Sequence, residues 1–211
     1  MTTIALSDDF IAQTLRPYSV GTTPQLSESI RTYIDLLLRW NRKIALTTIT
    51  DPAEILRLHF GESMFAVSQV PIRHGRLADV GTGAGFPAVP IGMVVPDLEC
   101  ILIESNQKKA TFLAEVVRTL KLDHVKVYRD RMESYPVSSL SLDFSISRAL
   151  GIHENFLSWS AARLNPSGRV ILWLGDDDAS KIIANSSWSW SPPMKIPYSQ
   201  RRVVLMGSRR A

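Results

Sequence analysis

The chain has 211 residues, which suits one domain with a sizeable appendage and is tight for two full domains. Hydrophobic residues make up 45% of it and charged residues 21%, the composition of an ordinary globular protein, which excludes a disordered or fibrous chain. The net charge of +4 leans towards an anionic partner, although many proteins without such a partner share so small an excess.

The first residues of the sequence carry no targeting signal. Asp8 and Asp9 lie where a secretory signal would have lysine or arginine. No apolar run approaches the roughly 20 residues that span a bilayer. We therefore expect a cytoplasmic protein that has no membrane partner.

Residues 1–70 have the pattern of helices. Thr23 and Pro24 form a helix start, with threonine as the cap and proline in the first turn. Asp51 and Pro52 form a second start, and Glu54 is placed three residues after Asp51, as in a capping box. Apolar residues recur at helical spacing after each start, namely Leu26, Ile30, Tyr33, Ile34, Leu37 and Leu38, and then Ile55, Leu58 and Phe65. We predict an N-terminal helical extension over residues 1–70, followed by a connection from Pro71 to Gly75.

Residues 71–211 alternate short β-type runs with helical segments, which is typical of a parallel sheet with helices on both faces. One helix is expected to begin near Asn106, and Cys100 is expected to be a buried structural thiol in the second strand. Residues 195–198 and 202–206 are close enough to pair as an antiparallel hairpin at one edge of the sheet. The predicted strands are 77–80, 99–103, 125–128, 143–147 and 169–174. The pattern predicts an α/β domain with a Rossmann-like sheet.

A glycine-rich loop follows the first predicted strand. The strand contains Asp79, and Gly81, Gly83 and Gly85 come after it. Glycines here let the backbone turn sharply and approach a ligand at the mouth of the sheet. A bare glycine triplet could equally be a strand-to-helix turn of no special purpose. Glu104 ends the next strand, 104 − 85 = 19 residues after Gly85, which is the place of the carboxylate that binds ribose hydroxyls in nucleoside-cofactor folds.

The residues after the loop favour one cofactor over others. Phe86 and Pro87 follow Gly85, whereas a dinucleotide fingerprint needs small residues facing the pyrophosphate. There is also no phosphate loop ending in lysine and serine or threonine. A G-x-G-x-G loop with an acidic residue before it and another ending the second strand is typical of class I methyltransferases. The pattern therefore indicates S-adenosyl-L-methionine, which carries no phosphate.

Several stretches together make the resemblance specific. The most specific is the loop from Asp79 to Pro90, and Trp40-Asn41 adds an independent one. The others are Leu38-Arg39, Leu46-Thr47, Asp51-Pro52, Arg57, His59, Lys108-Lys109, Phe112-Leu113, Arg131-Met132-Glu133 and Ile146-Ser147-Arg148-Ala149. From about Leu26 to Met206 the chain resembles the glucose-inhibited division protein B (RsmG) family of 16S rRNA guanine-N7 methyltransferases. It departs from the family pattern at Ala45, Glu62, Ala88 and Glu104.

The resemblance implies a class I (Rossmann-like) methyltransferase sheet preceded by helices, and methyl transfer to N7 of a guanine in 16S rRNA or the small ribosomal subunit. It implies S-adenosyl-L-homocysteine as the product, and it places Gly81, Phe86, Met132, Glu133 and Arg148 at cofactor-contacting positions. Together with the loop, the expected cofactor-binding residues are Asp79, Gly81, Gly83, Gly85, Phe86, Glu104, Ser105, Met132, Glu133 and Arg148.

The expected catalytic residues are Arg148, Lys108 and His59, and the expected RNA-binding residues are Lys108, Lys109, Arg131, Arg201 and Arg202. Guanine N7 already has an exposed lone pair, so the reaction needs alignment more than a strong base. His59 could contact RNA, but a lone histidine on an amphipathic helix is more often structural. Trp173 is expected in the core, while Trp188 and Trp190 are left unassigned.

Two other functions remain open on the residues alone. The chain could be a methyltransferase-fold RNA-binding protein without activity, or a small-molecule methyltransferase, whose pocket would lack a basic rim. The four histidines and one cysteine have no metal-ligand spacing, so we expect no metal site. We expect a monomer.

Overall fold

The computed structural model describes residues 6–70, 72–136, 142–148, 153–184 and 188–210. Helix α1 spans Asp8–Leu15, capped by Ser7, and is followed by a 3-10 turn over Arg16–Tyr18. Helix α2 spans Pro24–Asn41, and its cap on Thr23 confirms the predicted helix start. The N-terminal part is helical, as predicted.

The last N-terminal helix contains an irregular turn. Helix α3 spans Pro52–Ile55 with Asp51 as its cap, a π turn follows over Leu56–Gly61, and helix α4 spans Glu62–Gln69. Gly61 packs against Tyr18 so closely that a Cβ atom there would lie 2.5 Å from the tyrosine ring. Wider turns of this kind are rare and cluster at functional sites.

The rest of the described chain builds one sheet. Its strands and helices are β1 Gly75–Val80, α5 Ala88–Val94, β2 Leu98–Ile103, α6 Gln107–Thr119, β3 Val125–Tyr128, β4 Leu142–Arg148, α7 His153–Ala161, β5 Leu164–Gly175, α8 Asp176–Ala184, β6 Trp188–Trp190, β7 Met194–Lys195 and β8 Arg202–Arg209. The strand order is β3-β2-β1-β4-β5-β8-β6, with β7 also on β8. Strands β1 to β5 are parallel, and β8 is antiparallel to β5.

The predicted terminal hairpin is only partly right. Strand β7 pairs with β8 at Met194–Val204 and Lys195–Val203, but residues 196–198 lie outside the strand. Trp188 and Trp190 form the outer strand β6, which the sequence left unassigned. Strand β8 therefore lies inside the sheet, between β5 on one side and β6 and β7 on the other.

The two faces of the sheet carry different helices. The N-terminal helices, α5 and α6 pack on the face that contains Leu77, Cys100 and Ile146. Helices α7 and α8 pack on the opposite face, with Ala78 and Val80. The N-terminal helices and one face of the sheet thus share a single apolar core.

Cys100 is a buried thiol, as predicted. It is fully buried in β2, and burial raises its pKa to about 12. Trp173 is buried in β5, also as predicted. Within the described ranges, no helix is long and apolar enough to cross a membrane. The same residues contain no cluster of three or more potential metal ligands.

Candidate functional site

The glycine-rich loop leaves the carboxyl end of β1. The amide of Gly81 donates to the carbonyl of Ile103 on the adjacent β2 at 2.9 Å, and the amide of Gly85 donates to Thr82 at 2.9 Å. Gly81, Gly83 and Gly85 have φ angles of 70°, 61° and 89°, which side-chain-bearing residues rarely adopt. A loop of this shape strongly favours glycine at these positions.

Asp79 fixes the loop from beneath. Its carboxylate is fully buried, and Oδ2 accepts hydrogen bonds from the Thr82 hydroxyl at 2.8 Å and from the Ala88 amide at 3.2 Å. Oδ1 has no hydrogen-bond partner, and burial raises the pKa of this carboxyl group to about 7. The expected contact between Asp79 and a polar group of a cofactor stays a prediction, while its hold on the loop is part of the structure.

Glu104 fixes the loop from the side. Its Oε2 accepts from the amide of Gly83 at 3.0 Å, and its Oε1 accepts from the amide of Asn106 at 2.8 Å. Each carboxylate oxygen has a second lone pair, so the group can still accept from the hydroxyls of a ligand. Asn106 in turn caps α6 at Lys108 and Lys109, the two lysines predicted to bind RNA.

The loop fits a nucleoside cofactor that has no phosphate. A Cβ atom built on Gly83 would meet nothing closer than the carbonyl oxygen of Gly81, at 3.9 Å, so the space beside this glycine is open. The Glu104 carboxylate borders the loop and would repel a pyrophosphate, and Asp79 lies beneath it. Ribose hydroxyls and a cationic group suit these acceptors, as S-adenosyl-L-methionine offers.

The N-terminal helices support the back of the loop. The hydroxyl of Tyr33 in α2 donates to the carbonyl of Ala84 at 2.5 Å, and burial keeps the pKa of Tyr33 well above its ordinary value. The Tyr33 ring stacks on Phe86 at 5.2 Å, and His59 stacks on Phe86 at 4.7 Å. Phe86 is thus held between two aromatic rings of the protein. The sequence showed Tyr33 only as one residue of an apolar stripe.

His59 lies in the π turn, and its ring is held in place by a hydrogen bond to a neighbouring loop. Its Nε2 is 2.9 Å from the Thr47 hydroxyl, and Asn41 fixes Thr47 by donating to its carbonyl at 2.8 Å and accepting its amide hydrogen at 3.0 Å. Its Nδ1 is buried without a hydrogen-bond partner. Burial, together with the charges of Arg148 and Arg202, lowers the pKa of His59 to about 4. The ring is therefore neutral near pH 7.

A buried carboxylate gathers two of the predicted arginines. Glu62 of α4 is 1% exposed and lies 2.5 Å from the guanidinium of Arg202 and 3.4 Å from that of Arg148. Arg148 also donates to the carbonyl of Leu58 in the π turn at 3.2 Å. Trp173 donates to the Glu62 carbonyl at 2.8 Å. No sequence pattern predicts this cluster, because only the fold brings α4, β4 and β8 together.

The other predicted residues lie along the same edge of the sheet. Ser105 and Lys108 are exposed, and Lys109 is half-buried, at the start of α6. Exposed Arg131 precedes a 3-10 turn that contains Met132 and Glu133. Arg201 is exposed just before β8. The carboxyl ends of β1 to β4 and the start of antiparallel β8 meet at this edge, so the topology brings these residues there, whereas His59 lies in the π turn of the N-terminal helices. Ala149 of the family motif lies outside the described residues.

Comparison with known proteins points to one family. A model described as rRNA small subunit methyltransferase G matches residues 26–191. The ribosomal RNA small subunit methyltransferase G of Dichelobacter nodosus (strain VCS1703A) is 34% identical over 179 residues, covering 82% of this chain and 84% of that protein. Its namesake from Salmonella agona (strain SL483) is 29% identical over 206 residues, covering 95% and 98%.

The fold has solved counterparts. A SAM dependent methyltransferase from Aquifex aeolicus superposes with a TM-score of 0.60 over 73% of this chain and 92% of that one, at 16% sequence identity. At this identity the likeness concerns the fold alone. It confirms the predicted class I methyltransferase sheet with preceding helices.

Proposed function

Because the chain belongs to the rRNA small subunit methyltransferase G family, we propose that it methylates N7 of a guanine in 16S rRNA of the small ribosomal subunit. It is an S-adenosyl-L-methionine-dependent rRNA methyltransferase. The observation that carries the proposal is the open glycine loop, which Glu104 holds through the amide of Gly83.

We assign the cofactor to the residues that form or border the loop. Asp79 sets the shape of the loop, and Glu104 offers its remaining lone pairs to the ribose hydroxyls. Gly83 leaves the space that the nucleoside needs. The full proposed set is Asp79, Gly81, Gly83, Gly85, Phe86, Glu104, Ser105, Met132, Glu133 and Arg148. When bound, S-adenosyl-L-methionine supplies an electrophilic sulfonium methyl group.

The protein's part in the chemistry is alignment. Guanine N7 attacks with its own lone pair, so no side chain has to remove a proton first. The pKa of His59 is lowered to about 4, which makes the ring a weak base, and the ring stacks on Phe86, so we infer that it supports the loop and does not act as a base. Arg148 is fixed by Glu62 and the π turn, and we propose that it aligns the RNA or the cofactor from there.

The basic residues at this edge of the sheet fit an RNA partner. We propose that Lys108, Lys109, Arg131, Arg201 and Arg202 bind phosphates, with Lys108 nearest to the reacting groups. The attraction of Arg202 for a phosphate is partly offset, because its guanidinium is paired with Glu62. We further propose that the enzyme acts as a monomer in the cytoplasm, where small ribosomal subunits are available, and that residues 1–70 and 71–211 are its two parts.

The test of the function uses small ribosomal subunits and radiolabelled S-adenosyl-L-methionine. We expect label in 16S rRNA, at a base whose N7 methylation makes the chain cleavable after mild reduction and aniline treatment. Label that resists this cleavage would reject N7 as the methylated atom. No label in rRNA would reject the function.

The test of the site uses Gly83→Asn, because asparagine tolerates the left-handed backbone while its side chain fills the open space. We expect calorimetry to show loss of S-adenosyl-L-homocysteine binding in a folded protein. Gly21→Asn is the control for adding an asparagine side chain in open space, since a Cβ at Gly21 meets nothing within 4 Å and the residue lies outside the loop. Equal cofactor affinity in both variants would reject the assignment.

A further inference from the structure

The turn between β7 and β8 displays an aromatic side chain to solvent. Tyr198 is 73% exposed, and among the described residues only Ile183, at 37%, is another exposed large hydrophobic residue. A tyrosine ring this exposed gains little from packing within the chain. Its position therefore needs a reason outside the core.

The backbone that presents the ring is strained and held in place. Tyr198 has a φ angle of 59°, in the left-handed region that side-chain-bearing residues rarely adopt. The turn is closed by hydrogen bonds from the Ser199 amide to Ile196 at 3.1 Å and from the Arg202 amide to the Ser199 hydroxyl at 3.0 Å. Strain that the surroundings hold in this way is a recurring property of binding positions.

The turn lies at the edge of the sheet that carries the glycine loop. Arg202 begins β8 opposite Gly175, the last residue of β5, and the Asp176 amide donates to Arg201 at 2.8 Å. Strands β4 and β5 separate β8 from β1. At about 4.8 Å per strand, the turn is roughly 14 Å from the loop across the sheet, too far for Tyr198 to contact a base bound at the loop itself.

Two arginines follow the turn closely in sequence. Arg201 is exposed, and the Arg202 side chain is 40% exposed although it pairs with Glu62. Burial raises the pKa of Tyr18 to about 12, and Arg57, Arg202 and Tyr198 all lie near enough to affect it. The exposed tyrosine and the cationic Arg57 and Arg202 thus all lie near Tyr18, on the edge of the sheet where β8 begins.

We propose that Tyr198 is a stacking platform for an unpaired base of the rRNA, next to the nucleotide that is methylated. Proteins recognise single-stranded RNA by stacking splayed bases on aromatic rings while arginine and lysine bind the phosphates. This inference rests on the proposed function, because it takes rRNA as the substrate. It adds to the basic residues a contact that does not depend on charge.

The test measures binding of a fluorescent single-stranded RNA and of small ribosomal subunits over a range of salt concentrations. Tyr198→Ala should weaken both about 10-fold, and Tyr198→Phe should bind like the parent protein, because stacking needs the ring. The slope of log affinity against log salt should stay unchanged in Tyr198→Ala, whereas Arg201→Gln should lower it by about one. Ile183→Ala, which removes the other exposed apolar side chain, should change neither quantity.

A stability measurement separates binding from folding. Tyr198→Gly relieves the left-handed backbone, so it should raise the melting temperature while weakening RNA binding as Tyr198→Ala does. Equal RNA affinity of Tyr198→Ala and the parent protein would overturn the proposal. So would a loss confined to small subunits with no loss on free RNA, since the ring would then contact a ribosomal protein. Failure of the parent protein to methylate rRNA would instead reject the proposed function.

Discussion

At the scale of single residues, the conformation of the cofactor loop depends on buried side chains that pack against it from inside the protein. Tyr33 restrains the loop through its hydroxyl bond to Ala84 and through its stacking on Phe86. Asp79 restrains it from below. The open space beside Gly83 is therefore formed by residues from both the N-terminal helices and the α/β part.

Tyr33→Phe tests this restraint. The variant keeps the stacked ring but leaves the Ala84 carbonyl without its buried donor, so we expect a loss of about 1–3 kcal/mol in the free energy of unfolding. We also expect severalfold weaker binding of S-adenosyl-L-homocysteine, measured by calorimetry. Tyr18→Phe is the control, because the Tyr18 hydroxyl is buried without a hydrogen-bond partner. A cofactor affinity that falls equally in both variants would contradict the restraint.

Asp79 gives the stability of the protein a pH dependence. Its pKa is raised to about 7 in the folded protein from an ordinary 3.8, so the folded state binds more protons than the unfolded state between these values. The contribution of Asp79 to stability is then greatest below pH 4 and falls as the pH rises to 7, by about 1.4 kcal/mol for each unit of pKa difference at most.

Asp79→Asn should remove this slope. The measurement is urea unfolding of both proteins from pH 4.5 to 8, where the difference between them cancels the titration of the other groups. The parent protein should lose stability relative to Asp79→Asn as the pH rises, until about pH 7. A difference that stays constant over this range would mean that Asp79 is ionised throughout.

At the scale of elements, Glu62 joins three parts of the chain. It lies in α4, and it holds Arg148 at the end of β4 and Arg202 at the start of β8. Glu62→Gln would leave Arg148 buried without its counter-charge, so we expect about 3 kcal/mol of destabilisation in denaturant unfolding. Glu28→Gln breaks an exposed pair with Arg31 and should change stability by less than about 1 kcal/mol. Comparable losses of stability in the two variants would show that the Glu62 cluster does not stabilise the contact between α4, β4 and β8.

The regular elements could be predicted because their signals are local. The caps at Thr23, Asp51 and Asn106 and the strand at residues 125–128 follow from a few neighbouring residues, and the structure has them there. Strand β6 was missed because Trp188 to Trp190 is short and lies in a Ser/Pro-rich stretch. Its pairing is set by β8, far along the chain.

The candidate site divides in the same way. The glycine spacing and the place of Glu104 are visible in the sequence, since a loop and the strand beside it dictate them. The π turn ends at Gly61, which packs closely against Tyr18, and the Glu62 cluster depends on how three elements meet. Contacts of this kind form only when the N-terminal helices pack on the sheet, so no local sequence pattern predicts them.

At the scale of the whole molecule, the N-terminal helices and one face of the sheet form a single apolar core. A fragment of residues 71–211 would expose that face to water. We expect this fragment to lack a cooperative urea transition and a near-UV circular dichroism signal, because it loses the buried partners of α5 and α6. A cooperative transition in the fragment would show that the α/β part folds alone.

The buried thiol of β2 offers a way to measure how often the sheet opens transiently to solvent. Cys100 is the single cysteine of the chain, and both its burial and its raised pKa protect it from alkylation while the sheet is closed. The rate of labelling by iodoacetamide therefore measures the transient exposure of β2, with no background from other thiols. The rate should fall when S-adenosyl-L-homocysteine is added, since a ligand that binds only the closed state makes opening rarer. A reporter cysteine introduced on the surface would react far faster, so a dye could be placed beside the RNA without first removing Cys100.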